Sequence, residues 1–342
     1  MSIALPPPPP LVDVTALRFA APGTGRLIRR PGPQILNGMS FRVARGEMLG
    51  VVGESGCGKS TLGRLLAGLD RPTAGHVTVG GDDPAPRGRR AYRQSRARLQ
   101  YVFQDPMSAL NPRLTIGYQI AEGLRAHGLA ADPGRAALHW LERVGLSAAH
   151  AARYPHQLSG GQRQRVVIAR ALSVDPLFTV FDEPVSALDV SVQAQVLNLL
   201  AELRRELGLT GVFISHDLRV VRYVSDRIAV IYLGEIVEIG PADAVFHHPL
   251  HPYSRALIGA LLSPAPGTAR RSRLTGTPPD ISAPPPGCRF HPRCPWAMDR
   301  CRVEAPAPRP AGDGRQVSCH LDRPPATDAA RDRAPQHREV TA

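Results

Sequence analysis

The chain has 342 residues, 43% of them hydrophobic, and a formal net charge of +13. That length supports a large core and two folded units, while the lack of any run of about 18 apolar residues excludes a transmembrane helix. Met1 to Pro10 has neither the basic start nor the apolar stretch of a signal peptide, so a cytosolic protein is expected.

Pro6 to Pro10 reads as part of a disordered tail over residues 1–10. Glu47 to Val52 is a short apolar run that ends in Gly53-Glu54-Ser55-Gly56-Cys57-Gly58-Lys59-Ser60-Thr61, and Lys59 to Leu69 then carries helical spacing. This is strand, phosphate-binding P-loop, helix. Successive backbone N–H groups and the helix N-terminus form a positive cradle for phosphate oxygens. Gly53, Gly56 and Gly58 permit the tight curvature. Lys59 is expected to reach the β- and γ-phosphates and Ser60 to hold Mg²⁺, with Thr61 beside them and Cys57 as a small loop residue.

Lys59 is the only lysine among 42 basic residues. Every other residue of the Lys and Arg set is arginine, so a lysine kept at this position points to a need for a compact ammonium on a flexible stem. The densest basic cluster, Arg87 to Arg98, has no aromatic-interleaved or groove-reading module beside it, which argues against nucleic-acid binding.

Residues 105 to 175 are helix-rich, with turn signals at Asn111-Pro112 and Asp132-Pro133-Gly134, and read as an inserted helical subdomain. Leu177 to Phe181 is a second buried strand, capped by Asp182-Glu183. Asp182 can bind Mg²⁺ through water, and Glu183 can accept a proton from an attacking water. Val192, Val196, Leu199, Leu200, Leu203 and Leu207 define an amphipathic crossover helix before a third strand, Gly211 to Ile214. The expected fold is therefore α/β with a parallel sheet. The chain turns Pro-rich over 263–287, four cysteines follow within 288–321, and 322–342 reads as a disordered tail.

Leu158-Ser159-Gly160-Gly161-Gln162, followed by Arg163-Gln164-Arg165, resembles the signature of ABC ATPases. Ser159 is placed to cap a helix whose amides face an anion. The resemblance implies that this segment closes over ATP held by another subunit's P-loop. It also implies a Q-loop glutamine at Gln104, a D-loop at Ser186-Ala187-Leu188-Asp189, a switch histidine at His216 and an adenine-stacking aromatic at Phe19. An ABC ATPase domain over 11–262 follows, with a parallel-sheet core, added antiparallel strands and the helical insertion.

The stretches Glu183 to Leu200 and His247 to Leu262 resemble ATPase subunits of dipeptide, oligopeptide and nickel importers. That resemblance implies ATP hydrolysis that powers uptake through two permease subunits. It further implies a second ATPase subunit, an extracytoplasmic solute-binding protein that supplies cargo, and a place at the cytoplasmic face of the membrane. The segment Asp105 to Pro112 lies where permease coupling helices dock in this family. A soluble ABC ATPase acting on nucleic acid or ribosomes is the rival reading, and nickel the alternative cargo.

Cys288, Cys294, Cys301 and Cys319 are spaced C-x5-C-x6-C-x17-C. Clustered cysteines in a cytosolic chain favour metal over disulfides, but the close pairs of a zinc ribbon are missing, so spacing does not choose the metal. The importer resemblance implies a C-terminal module that in some members binds a [4Fe–4S] cluster, which four thiolates suit. His291 and His320 stand as reserve ligands.

Overall fold

A computed structural model describes residues 9–23, 32–261, 277 and 279–322. Most of both expected tails, residues 24–31 and the first half of the Pro-rich linker lie outside the described residues.

The strands are β1 (Val12–Ala20), β2 (Gln34–Val43), β3 (Met48–Val52), β4 (Ala74–Val79), β5 (Leu99–Val102), β6 (Phe178–Asp182), β7 (Gly211–Ile214), β8 (Arg227–Tyr232), β9 (Glu235–Pro241), β10 (Arg309–Pro310) and β11 (Gln316–Val317). They form an antiparallel sheet, β2-β1-β4, and an eight-stranded sheet, β10-β11-β9-β8-β3-β7-β6-β5. The stretch from β8 to β5 is parallel, and β9 joins β8 antiparallel. This is the expected α/β architecture with added antiparallel strands.

All five residues of β3 are buried. Met48 and Val52 enter one hydrophobic core while Leu49 and Val51 enter the other. A strand covered on both faces has no polar side to show, which is why it reads as a continuous apolar run. The helix Val190–Leu207 buries Val196, Leu199, Leu200 and Leu203, the stripe anticipated from spacing.

The helical region contains Pro106–Ala109, Ile116–His127, Pro133–Arg143 and Gly160–Leu172. The Asp105 carboxylate accepts from the Met107 and Ser108 amides, and Asp132 accepts from the Arg135 amide. Each is followed by a proline whose missing N–H is no loss at a first helical position. The basic cluster lies on the helix Arg89–Arg98. Arg98 pairs with Asp82 at 2.5 Å and Arg96 donates to the Pro84 carbonyl at 3.0 Å, so part of this charge is locally partnered.

The C-terminal residues do more than the sequence suggests. β11 pairs with β9, Gln316 opposite Ile239 and Val317 opposite Glu238, and β10 pairs with β11. These two-residue strands are too short for any periodicity to announce them. They tie the cysteine-bearing segment to the edge of the main sheet and cover it.

Candidate functional site

Strand order brings the candidate residues to one edge of the main sheet. Val51 on β3 is in register with Ile214 on β7, and Ile214 with Asp182 on β6. The residues following these strands, together with Gln104 after β5, therefore emerge side by side at the carboxyl ends of parallel strands, where open α/β sheets bind ligands.

The loop from Gly53 to Gly58 leaves β3 and enters the helix Lys59–Leu66. Gly58 has φ 103°, and a Cβ there would lie 2.7 Å from Leu36 Cδ2. A Cβ on Gly53 would lie 2.3 Å from the Ile231 carbonyl oxygen. Neither position has room for a side chain. The helix has no side-chain N-cap, so its first amides remain available to an anion. Lys59 is 6% exposed, and its Nζ donates to the Gly53 and Glu54 carbonyl oxygens at 2.8 and 3.0 Å. The ammonium is thus folded inside the loop it serves. Burial pushes the neighbouring Cys57 thiol up, which keeps it protonated and unreactive.

Ser60 Oγ donates to Asp182 Oδ1 at 3.1 Å, joining the loop to β6. Tyr101 Oη on β5 donates to the other carboxylate oxygen at 2.6 Å. Glu183 follows with φ 46°, a left-handed conformation that is strained for a non-glycine residue. Its amide donates to the Ile214 carbonyl at 2.9 Å, and Ser186 Oγ donates to its carbonyl at 3.0 Å. The strained turn aims the carboxylate at Gln104 Nε2, 3.1 Å away, and His216 Nδ1, 3.3 Å away. Lys59, Ser60, Gln104, Asp182, Glu183 and His216 therefore form one linked constellation across four strand ends.

Ser159 caps the helix Gly160–Leu172: its Oγ accepts from the Gln162 amide at 3.3 Å, and Gln162 Oε1 accepts from the Ser159 amide at 3.0 Å. Leu158 is buried, and its carbonyl accepts from Arg163 at 2.8 Å. A Cβ on Gly161 would lie 2.3 Å from Val192 Cγ1, and one on Gly160 would lie 3.4 Å from Leu188 Cδ2. The five signature residues thus sit against Leu188, in the Ser186 to Asp189 turn, and against the start of the following helix. Phe19 is half-buried on β1, across from Leu36, the residue against which Gly58 abuts.

Sequence reasoning missed the other wall of the loop. A cavity of about 280 Å³ opens beside Glu54, Ser55, Gly56 and Cys57, and Tyr232, Leu233, Pro279 and Ile281 complete it. Pro279 and Ile281 fall in the segment read as linker, and Ile281 packs on the hydrophobic core. Tyr253, wholly buried, accepts from the Glu54 amide at 2.9 Å. Arg293, beside the cysteines, makes two bonds to the Glu54 carboxylate at 2.8 and 3.0 Å. Tyr253 and Arg293 carry no local sequence signal, because the partner lies about 200 or more residues away.

Cys288 and Cys301 are joined through the backbone, amide to carbonyl, at 2.8 Å. Burial, the main cause, together with the charges of neighbouring cysteines pushes the Cys288 thiol up to about 11 and Cys294 up to about 12. Cys319 is raised in the same way. Along the backbone, the His291 amide donates to the Cys288 carbonyl and the Cys294 amide to the His291 carbonyl, so Cys288, Cys294 and Cys301 belong to one local turn system. Among the described residues, no group of three or more His, Cys, Asp or Glu side chains is arranged to hold a metal ion. The arrangement of the four thiols therefore does not by itself choose a metal.

Residues 36–186 match the family described as ABC transporter, and residues 237–301 match the oligopeptide/dipeptide transporter C-terminal region. A peptide ABC transporter ATP-binding protein of Sinorhizobium fredii is 52% identical over 299 residues, which cover 86% of this chain and 85% of that one. The chain belongs to the oligopeptide/dipeptide family of ABC transporter ATP-binding proteins. A peptide import ATP-binding protein of Brucella ovis is 49% identical, covering 84% of this chain and 92% of that one. Among solved structures, the ATP-binding cassette MJ0796, a dimer in a post-hydrolysis state bound to ADP and Pi, aligns with 29% identity and a TM-score of 0.59. That alignment covers 68% of this chain and 98% of the cassette. The cbiO1 subunit from Clostridium perfringens aligns with 27% identity and a TM-score of 0.61, covering 70% of this chain and 91% of that one. The binding of ATP by this ABC domain follows from membership. Among the described residues, no helix is long and apolar enough to cross a membrane.

Proposed function

We propose that this chain is the ATP-hydrolysing subunit of an importer that moves peptides through two partner permeases at the cytoplasmic face of the membrane. The observation that carries the reading is the Glu183 carboxylate, held in a strained turn between Gln104 and His216 beside the P-loop. A carboxylate so aimed serves as a general base toward water at a nucleotide phosphate.

In this reading, Lys59 and the loop amides from Gly53 to Thr61 neutralise the phosphates, and Phe19 stacks on adenine. Ser60, and through water Gln104 and Asp182, would hold Mg²⁺, which supplies charge neutralisation at the phosphates. Few protein ligands suit an ion that keeps its waters and its phosphate oxygens. Glu183 accepts the proton of the attacking water, and His216 and Gln104 orient it. Leu158 to Gln162 of a second ATPase subunit complete the site, with Ser186 to Asp189 at the seam between subunits. Val190, next to that turn, is 83% exposed, which suits a surface meant to be covered.

The exposed Phe103 and Met107 flank Gln104 and support a permease docking site there. An extracytoplasmic solute-binding protein would select the cargo. The domain division that fits is an ATPase domain over 11–262, carrying a helical subdomain over 105–175, and a cysteine module over 288–321. In that module Cys288, Cys294, Cys301 and Cys319 would hold a [4Fe–4S] cluster, whose contribution is to cross-link the module. Gentle purification from membranes tests the importer reading. Two permeases are expected to accompany the chain, with ATP hydrolysis stimulated by a peptide-loaded binding protein. Recovery on ribosomes or DNA without permeases would overturn it.

A further inference from the structure

Glu54 is the second residue of the loop, and three groups engage it. Its amide donates to Tyr253 Oη, its carbonyl accepts from Lys59 Nζ, and its carboxylate takes the fork of Arg293. The last contact spans 239 residues of chain. The Arg293 side chain is 6% exposed and that of Glu54 20%, so water screens the pair weakly. Arg293 sits on the short turn His291–Arg293, closed by the Arg293 amide on the Phe290 carbonyl at 3.0 Å. Phe290, 2% exposed, wedges that turn against Tyr232 and Tyr253, with ring centroids 5.2 and 5.5 Å away. The guanidinium therefore approaches on a rigid base rather than a free tether.

A carboxylate inside a phosphate cradle is an electrostatic liability. Unpaired, it would repel a polyphosphate and compete for Lys59. A bidentate arginine cancels that charge and fixes the planar carboxylate in direction.

We propose that Arg293 is a positioning residue for the phosphate-binding loop: it clamps and neutralises Glu54, so the cysteine-bearing C-terminal module is part of the ATP site. The proposal rests on the reading of Gly53 to Thr61 as the phosphate loop. Ile281 and Pro279, lining the cavity beside the same loop, extend that contact from a single ion pair to a surface.

The test uses the full-length chain, with the dissociation constant of a fluorescent ATP analogue, KM and kcat measured for each variant. Arg293→Gln is expected to weaken ATP binding and raise KM by about 10- to 100-fold, less than the full cost of breaking a buried pair because the Glu54 side chain is 20% exposed, with kcat falling less than threefold. Arg293→Lys keeps the charge but loses the fork and falls in between. The double variant Glu54→Gln/Arg293→Gln leaves no unpaired charge but loses the clamp, and is expected to regain part of the affinity, at least about threefold over Arg293→Gln. It also keeps the test readable if Arg293→Gln alone folds poorly. Unchanged affinity in Arg293→Gln would overturn the proposal, as would a loss that the double variant fails to lessen. Lys59→Ala is the control: retained ATP binding there would sink the phosphate-loop reading itself, independently of Arg293.

Discussion

Replacing Glu183 with glutamine changes one atom and one charge in a carboxylate that the fold holds under strain. The backbone at φ 46° is set by the hydrogen bond that the Glu183 amide donates to the Ile214 carbonyl and by the one that Ser186 Oγ donates to the Glu183 carbonyl. Neither bond involves the side chain, so the turn should survive. Gln104 Nε2, 3.1 Å from Oε2, can still donate to an amide oxygen. The volume is conserved, and the stability change should stay within about 1 kcal/mol. The chemistry should not survive, because an amide accepts no proton. A positioned general base contributes about 10²- to 10⁴-fold, or roughly 3 to 5 kcal/mol of barrier. Phosphate release should fall by that factor while the affinity for ATP holds within about threefold. ATP should then accumulate on the protein and drive dimer formation, visible by size-exclusion chromatography. A kcat within threefold of the parent would refute the assignment of Glu183. An equal loss of ATP affinity would show that the carboxylate serves ground-state binding instead.

Lys59→Arg keeps the charge but places a larger planar group where Nζ is confined by the Gly53 and Glu54 carbonyls. It should cost most of the activity, at least about tenfold, and full activity would reduce the lone lysine to compositional drift. Tyr101→Phe removes a 2.6 Å bond to Asp182; it should cost about 1.5 to 3 kcal/mol in the site's interaction energy, read as a raised Mg²⁺ requirement, and an unchanged Mg²⁺ titration would count against that role. His251, fully buried with its Nδ1 accepting from the Tyr253 amide, is pushed down to about 3 by burial. It stays neutral in the folded state while the unfolded chain takes up a proton below pH 6.5, so stability should fall as pH drops from about 6.5 toward 3. Glu238, pushed up by burial, acts in the opposite sense just above its ordinary value. His251→Gln should flatten the acid limb of the melting-temperature profile, and an unaltered limb would remove the histidine from the account. Anaerobically purified protein should contain iron and absorb near 400 nm, and a colourless, iron-free preparation with four free thiols would sink the cluster.

How much was legible from sequence follows the range of each interaction. The P-loop, the Asp182-Glu183 strand end and the Ser159 cap are local patterns in which a few adjacent residues carry their own geometry. β3 announced itself because burial on both faces leaves no polar position, and β6 because only Thr179 and the terminal Asp182 interrupt its apolar run. The register Val51–Ile214–Asp182, which converts separate motifs into one site, was implied only by analogy of motif order. Pro279 and Ile281 read as linker because proline and short apolar stretches look alike whether solvated or packed. Tyr101 was silent because a tyrosine within a strand is most often core.

The sequence by itself determined the chemistry on offer: a phosphate loop with its one lysine, paired carboxylates, a capped signature helix and four thiols. Each of these is written in neighbouring residues. Tertiary structure alone decided which of them meet. It set Glu183 between Gln104 and His216, laid β11 against β9, and brought Arg293 across 239 residues to Glu54. The reason is physical: contacts between distant segments depend on how strands order and cores pack, and no local pattern records that.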